Sequence, residues 1–143
     1  MIKPLALEIT SIQGDGFHVF VSLKLGRKKL RMLVDTGASR TVFDLNRVLE
    51  RLPELALNEI DRLSTGLGVS ALPGKSAFLH KLTLGDIRLE TYETMILDLS
   101  HVNQSYHQLK LPKIDGVLGS DLLSRFKAII DYKNEFILLH PED

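Results

Sequence analysis

The chain has 143 residues, with 18 basic and 18 acidic side chains and no cysteine. That length suits one domain with a sizeable core, while zero net charge gives a polyanion no overall attraction. Without thiols there can be no disulfide and no thiolate zinc site, which fits a reducing compartment. The opening Met1-Ile2-Lys3-Pro4-Leu5 is no long apolar leader, and no stretch approaches the roughly 18 apolar residues of a membrane-spanning helix. The expectation is a soluble, cytoplasmic protein, with a processed fragment of a larger exported protein as the alternative.

Leu5, Leu7 and Ile9 alternate as in a strand that ends near Gly14-Asp15-Gly16. Phe17, Val19, Val21, Leu23 and Leu25 then fall on one face, with His18, Phe20, Ser22 and Lys24 on the other. A turn at Gly26-Arg27-Lys28-Lys29 leads into Leu30, Met32 and Val34, so residues 17–35 read as a hairpin. Next the period lengthens: Leu45, Val48, Leu49 and Leu52 predict a helix over 44–52, capped by Asp44 and stopped by Pro53. Glycine and proline punctuate residues 64–76 without helical spacing. Strand patterns return at Phe78–Leu84, turn at Gly85-Asp86 and continue through Ile87–Leu99. The polar run His101–Gln108 reads as a surface loop. A short helix starts at Ser120 or Asp121, and Ala128–Tyr132 with Phe136–Leu139 forms a last hairpin around Lys133-Asn134. With no repeat or linker, residues 1–143 are read as one domain, and short strands with two short helices predict a closed or sandwich-like β fold.

The stretch that carries chemistry is Leu33-Val34-Asp35-Thr36-Gly37-Ala38-Ser39. An apolar strand delivers a carboxylate straight into a turn. Gly37 lets the backbone bend its N–H toward that carboxylate where a Cβ would hinder it, and the Thr36 hydroxyl can hold the loop. A carboxylate fixed in this way is suited to proton transfer with a bound water. Peptide hydrolysis by that route needs two carboxyl groups sharing a proton, since neighbouring like charges resist joint ionisation. Asp-Thr-Gly alone is short enough to be an ordinary polar turn after a buried strand, so its context decides.

In context the chain resembles the retropepsin-like aspartic peptidases. The apolar lead-in and Asp35-Thr36-Gly37-Ala38-Ser39 are followed by a region placed like a flap hairpin, with Gly66, Leu67, Gly68, Pro73 and Gly74. Then Val117-Leu118-Gly119 precedes a short helix at Ser120-Asp121-Leu122-Leu123. The likeness runs from about Leu5 to Leu139. It implies a mostly β, single-lobe acid-protease barrel with a flap hairpin and two short helices. It also implies that Asp35 is the catalytic carboxylate, that Thr36 braces paired loops, and that Gly119 passes behind the active-site turn. No second Asp-Thr-Gly or Asp-Ser-Gly occurs, so the second carboxylate must come from another copy, as in a two-fold homodimer acting on a peptide or protein substrate. Retroviral members often carry Asp and Arg where this chain has Ser39 and Ser120, so their ion pair is absent here. The added length lies in helix 44–52 and in 101–113.

Other constellations are weaker. Gly66-Leu67-Gly68-Val69-Ser70-Ala71 imitates a dinucleotide fingerprint, but Pro73-Gly74 blocks the helix that should follow; Gly74-Lys75-Ser76 lacks the upstream glycine of a phosphate-binding loop. The histidines, including His101 and His107, lack zinc-ligand spacing, and no metal or cofactor is expected. Arg27, Lys28, Lys29 and Arg31 read as a solvated hairpin turn without interleaved aromatics, so no nucleic-acid partner is expected, nor a membrane. Asp115 is read as shaping a turn with Gly116, and Asp121 as serving a helix N-terminus. The leading expectation is an aspartic endopeptidase. A non-catalytic peptide-binding or assembly module on the same fold, and an enzyme limited to processing its own precursor, stay open beside it.

Overall fold

The computed structural model describes residues 2–59 and 74–142. Strands β1 (Leu5–Ser11), β2 (Phe17–Leu25) and β3 (Lys28–Val34) form where alternation placed them. They pair antiparallel in sequence order, and Gly26, at φ +61°, supplies the left-handed turn between β2 and β3. Val19, Val21, Leu23 and Leu25 point into the core, whereas Phe17 stays exposed. After β4 (Val42–Asp44) comes α1 (Leu45–Arg51), and the Asp44 side chain caps it by accepting the Arg47 N–H at 2.9 Å. β5 (Asn58–Glu59), β6 (Lys75–Leu84) and β7 (Ile87–Leu97) follow, then α2 (Ser100–Gln108), β8 (Gly116–Leu118) and α3 (Ser120–Arg125). The hairpin of β9 (Ile129–Asp131) and β10 (Phe136–Leu138) ends the fold and pairs with β1.

Six strands close a barrel in the order β2-β3-β8-β4-β7-β6. The ring is sealed where β6 returns to β2 through Lys24↔Thr83 and Leu25↔Leu82. Closure removes most open sheet edges and encloses Leu23, Leu30, Met32, Phe43, Leu79, Leu82, Leu84, Ile96 and Leu118, each 2% exposed or less. Two contacts in the ring are parallel, β3 with β8 and β4 with β7, so chain segments far apart in sequence lie side by side. The mostly β, single-lobe barrel expected from the sequence is present.

Residues 101–108 are not the surface loop expected; they form most of α2, a helix additional to the two expected. Its two buried residues, Asn103 and Tyr106, sit three apart on one face. Asn103 offers its amide oxygen to the Ile114 N–H at 2.7 Å and its amide nitrogen to the Ile114 carbonyl at 3.1 Å. Tyr106 packs edge-on against Phe20 with ring centroids 5.5 Å apart, and its hydroxyl lies 2.8 Å from His18 Nδ1. Phe20 therefore does not face water with its neighbours on the polar side of β2. Together with Tyr106 and Ile114 it forms a second, smaller core outside the barrel, joined by Leu33 and Val117.

Candidate active site

β3 runs apolar to Val34, which pairs in parallel with Leu118 of β8. The Asp35 N–H continues that ladder by donating to the Leu118 carbonyl at 3.0 Å, so the residue leaves a fixed strand end. Then the chain turns. The Gly37 N–H donates to Asp35 Oδ1 at 2.9 Å, and the Ala38 N–H donates to the Asp35 carbonyl at 3.1 Å. A Cβ on Gly37 would lie 3.3 Å from that same carboxylate oxygen, close enough to crowd it. Asp35, Thr36, Gly37 and Ser39 are all exposed, with Ala38 half-buried among them. The turn thus presents one oriented carboxylate to the surface.

The second loop braces this turn from behind. A Cβ on Gly119 would come within 2.5 Å of the Arg40 carbonyl oxygen and 2.9 Å of that of Ala38. Backbone cannot yield as a flexible side chain would, so only glycine fits there. Just beyond it, the Ser120 N–H donates to the Ala38 carbonyl at 2.7 Å, and its hydroxyl donates to the Thr36 carbonyl at 2.7 Å. The structure therefore gathers Asp35, Thr36, Gly37, Ala38 and Gly119 at one place. Of the residues assigned to a flap, Gly66, Leu67, Gly68 and Pro73 lie outside the described residues. Gly74 is described; it leads into β6 and packs so closely on Leu97 that a Cβ would meet its Cδ2 at 2.7 Å.

Two carboxylates have more work than the sequence suggested. Asp121 does stand in the first turn of α3, but Gly119 is the N-cap and makes no side-chain cap bond. The Asp121 carboxylate instead turns sideways: Oδ1 accepts the Thr41 N–H at 2.8 Å and the Thr41 hydroxyl at 2.7 Å, and Oδ2 accepts the Tyr92 hydroxyl at 2.5 Å. Burial pushes the Tyr92 phenol up, and its hydrogen bond to the Asp121 carboxylate pushes the same way. Thr41, only 1% exposed, accepts the Gly119 N–H on its hydroxyl at 2.9 Å, and its carbonyl takes the Thr94 hydroxyl at 3.1 Å. Sequence reasoning assigned no role to Thr41, Tyr92 or Thr94.

Asp115 is a buried ion-pair centre rather than a turn former. It accepts the Arg31 N–H at 2.7 Å and holds Arg47 at 3.1 Å and Arg51 at 3.2 Å, both from α1. Its neighbour Gly116 is demanded by packing, since a Cβ would lie 2.3 Å from the Val42 carbonyl oxygen. Among the described residues no group of three or more His, Asp or Glu side chains is placed to hold a metal ion. Nor is any described helix long and apolar enough to cross a membrane.

The chain is similar to several known proteins. Over 131 residues the chain is 24% identical to the UBA domain-containing protein Mud1 of Schizosaccharomyces pombe, covering 91% of this chain and 35% of Mud1. The chain thus spans about a third of that relative's length. The structure of a retropepsin-like aspartic protease from Rickettsia conorii superposes with a TM-score of 0.53 at 20% identity, over 98% of this chain and 95% of that one. The retroviral protease-like domain of Ddi1 from Leishmania major gives a TM-score of 0.48 at 16% identity, over 87% and 94% of the two chains. Residues 21–122 match the family described as aspartyl protease, a span that takes in both the Asp35 turn and Val117-Leu118-Gly119. The fold is retropepsin-like, and the chain belongs to the aspartyl protease family.

Proposed function

We propose that this protein is an aspartic endopeptidase that works as a homodimer, with Asp35 of each protomer forming a two-carboxylate site. The observation that carries this reading is the exposed Asp35 carboxylate, oriented by the Gly37 N–H at 2.9 Å and braced from behind by Gly119 and Ser120. One such turn per chain is half of the required chemistry. A two-fold axis through the turns would bring the two carboxylates together, where like charge lets the pair keep one proton.

In that site the ionised carboxylate takes a proton from water as its oxygen attacks the scissile carbonyl. The protonated partner donates a hydrogen bond to the carbonyl oxygen, which becomes a hydroxyl of a tetrahedral intermediate. Collapse breaks the C–N bond, a proton passes to the departing amine, and the pair returns to its singly protonated state. Thr36 is exposed beside Asp35, and in such a dimer it would face its counterpart across the axis. The substrate is an extended peptide, and a cytoplasmic setting accompanies the reading because the chain has no cysteine.

A second reading, a peptide-binding or assembly module, draws on the single carboxylate that each chain offers. Digestion of a mixed peptide library from acidic to neutral pH separates the two. The endopeptidase reading expects cleavage that an aspartic-peptidase transition-state inhibitor abolishes; peptide retained without cleavage at every pH supports the module.

A further inference from the structure

We propose that Asp121 is a positioning residue for the Asp35 turn, acting through Thr41 and tied by Tyr92 to the strand pair β6–β7. The proposal rests on the reading of Asp35 as a catalytic carboxylate. It goes beyond that reading by naming a residue remote from the reacting atoms that sets their geometry.

The carboxylate receives three donors: the Thr41 N–H, the Thr41 hydroxyl and the Tyr92 hydroxyl, all within 2.8 Å. Thr41 is buried and cannot turn to water for replacements. Its hydroxyl gives its proton to Asp121 and accepts the Gly119 N–H, so the orientation of one hydroxyl links the carboxylate to the second loop. Gly119 lies against the carbonyls of Ala38 and Arg40, and Ser120 bonds the carbonyls of Thr36 and Ala38. The route from Asp121 to the turn is thus an unbroken set of short contacts. Serving α3 is a poorer account of the side chain, because the helix has six residues and the carboxylate points away toward Thr41, just before β4, and Tyr92 of β7.

The other end of the network reaches β7. Tyr92 faces Leu79 of β6 across the ladder, Thr94 faces Ala77, and both threonine and tyrosine hydroxyls converge on Thr41 and Asp121. β6 begins at Lys75, directly after Gly74. The two strands that carry the chain away from the flap positions are therefore fastened to the loop that presents Asp35.

The test compares Asp121→Ala, Asp121→Asn and Tyr92→Phe with the wild-type protein. Peptide turnover is read alongside amide exchange at Asp35, Ala38 and Ser120, none of which bonds Asp121 directly. Asparagine keeps an oxygen for Thr41 and offers its amide to the Tyr92 oxygen, so it should restore most of what alanine loses. Asp121→Ala should lower kcat about tenfold or more with KM within about twofold, and speed exchange at the three amides by about tenfold. Exchange at the barrel residues Leu23 and Met32 should stay within about twofold of wild type. Tyr92→Phe, which removes one hydroxyl, should lower kcat about threefold and leave the fold intact. Unchanged exchange at Asp35, Ala38 and Ser120 in both Asp121→Ala and Tyr92→Phe overturns the proposal, as does an increase spread evenly over the barrel. Should Asp121→Ala fail to fold, Tyr92→Phe alone decides it. A wild-type protein that cleaves nothing would overturn the peptidase reading, while the exchange measurements would still decide the role of Asp121.

Discussion

Ser120 reaches across 84 residues of chain to place its hydroxyl on the Thr36 carbonyl at 2.7 Å. Where retroviral relatives often set an arginine, this chain uses a short neutral side chain, and its backbone N–H adds a second tie to Ala38. The brace behind the Asp35 turn is built from backbone, hydroxyl and a glycine rather than from an ion pair.

That construction makes Gly119 intolerant of any side chain. Gly119→Ala would force its Cβ to within 2.5 Å of the Arg40 carbonyl oxygen. Relief requires the two loops to separate, and a loss of about 2–3 kcal/mol is expected, of the size seen for overpacking in a closed interior. Urea unfolding of the variant measures it, and a change below the error of that measurement would contradict the contact.

Asp35→Asn keeps the shape of the side chain and should preserve the fold and the proposed dimer. An amide cannot take a proton from water, so kcat/KM on any cleaved peptide should fall by about three orders of magnitude or more. Inhibitor or peptide binding should persist in a titration. Undiminished cleavage by Asp35→Asn would remove the residue from the mechanism.

Dilution provides a separate check on the shared site. If each protomer supplies one carboxylate, specific activity should fall as protein concentration drops through the dimer dissociation constant. Sedimentation and rate measured on the same dilution series should change together, whereas full activity in a strictly monomeric sample would refute the arrangement.

The Glu8–Arg31 pair on the outer face gives a pH dependence with a defined sign. Hydrogen bonding from Arg31 draws the Glu8 carboxyl down from 4.5 to about 2, against a smaller opposing effect of burial. A depressed folded-state pKa contributes stability that is present above about 4.5 and lost as pH falls toward about 2. Glu8 is 52% exposed, so solvent screening should hold the contribution to about 1 kcal/mol or less. Thermal unfolding of Glu8→Gln followed from pH 6 to about 2 should show a flatter acid limb than wild type over that window. An identical limb would mean that the pair contributes nothing.

Asp115 should matter for stability alone. Asp115→Ala leaves the Arg31 N–H without its acceptor and removes the shared carboxylate from Arg47 and Arg51, at a cost of about 3 kcal/mol. Asp115→Asn keeps an acceptor and should lose less. Denaturant midpoints order the two variants, and equal losses would show that the hydrogen bond to Arg31 is immaterial.

The legible and illegible parts of this chain divide by the range of the interactions involved. Strands β1 to β3, the Asp44 cap and the glycine turn after Asp35 are local, and alternation, capping chemistry and backbone freedom reveal them over a few residues. α2 escaped because its buried face is Asn103 and Tyr106, a polar pair whose partners, Ile114 and Phe20, cannot be seen from the helix itself. Asp115 and Asp121 escaped for the same reason. Their donors come from Arg31, Arg47 and Arg51, and from Thr41 and Tyr92, and no spacing rule connects positions that only long-range strand pairing and helix packing bring together.

The same long-range pairing also sets when the turn can be braced. Each tie on the Asp35 turn from behind comes from residues 118–121, while the turn itself ends by residue 41. Contacts of such long range are slow to form, because the intervening loop must be ordered before they yield any stabilisation. A growing polypeptide therefore carries its Asp-Thr-Gly for some eighty residues of synthesis before it can be braced. Until residues 118–121 are made and folded, the Asp35 turn lacks the ties that orient it, so its geometry is a late product of folding.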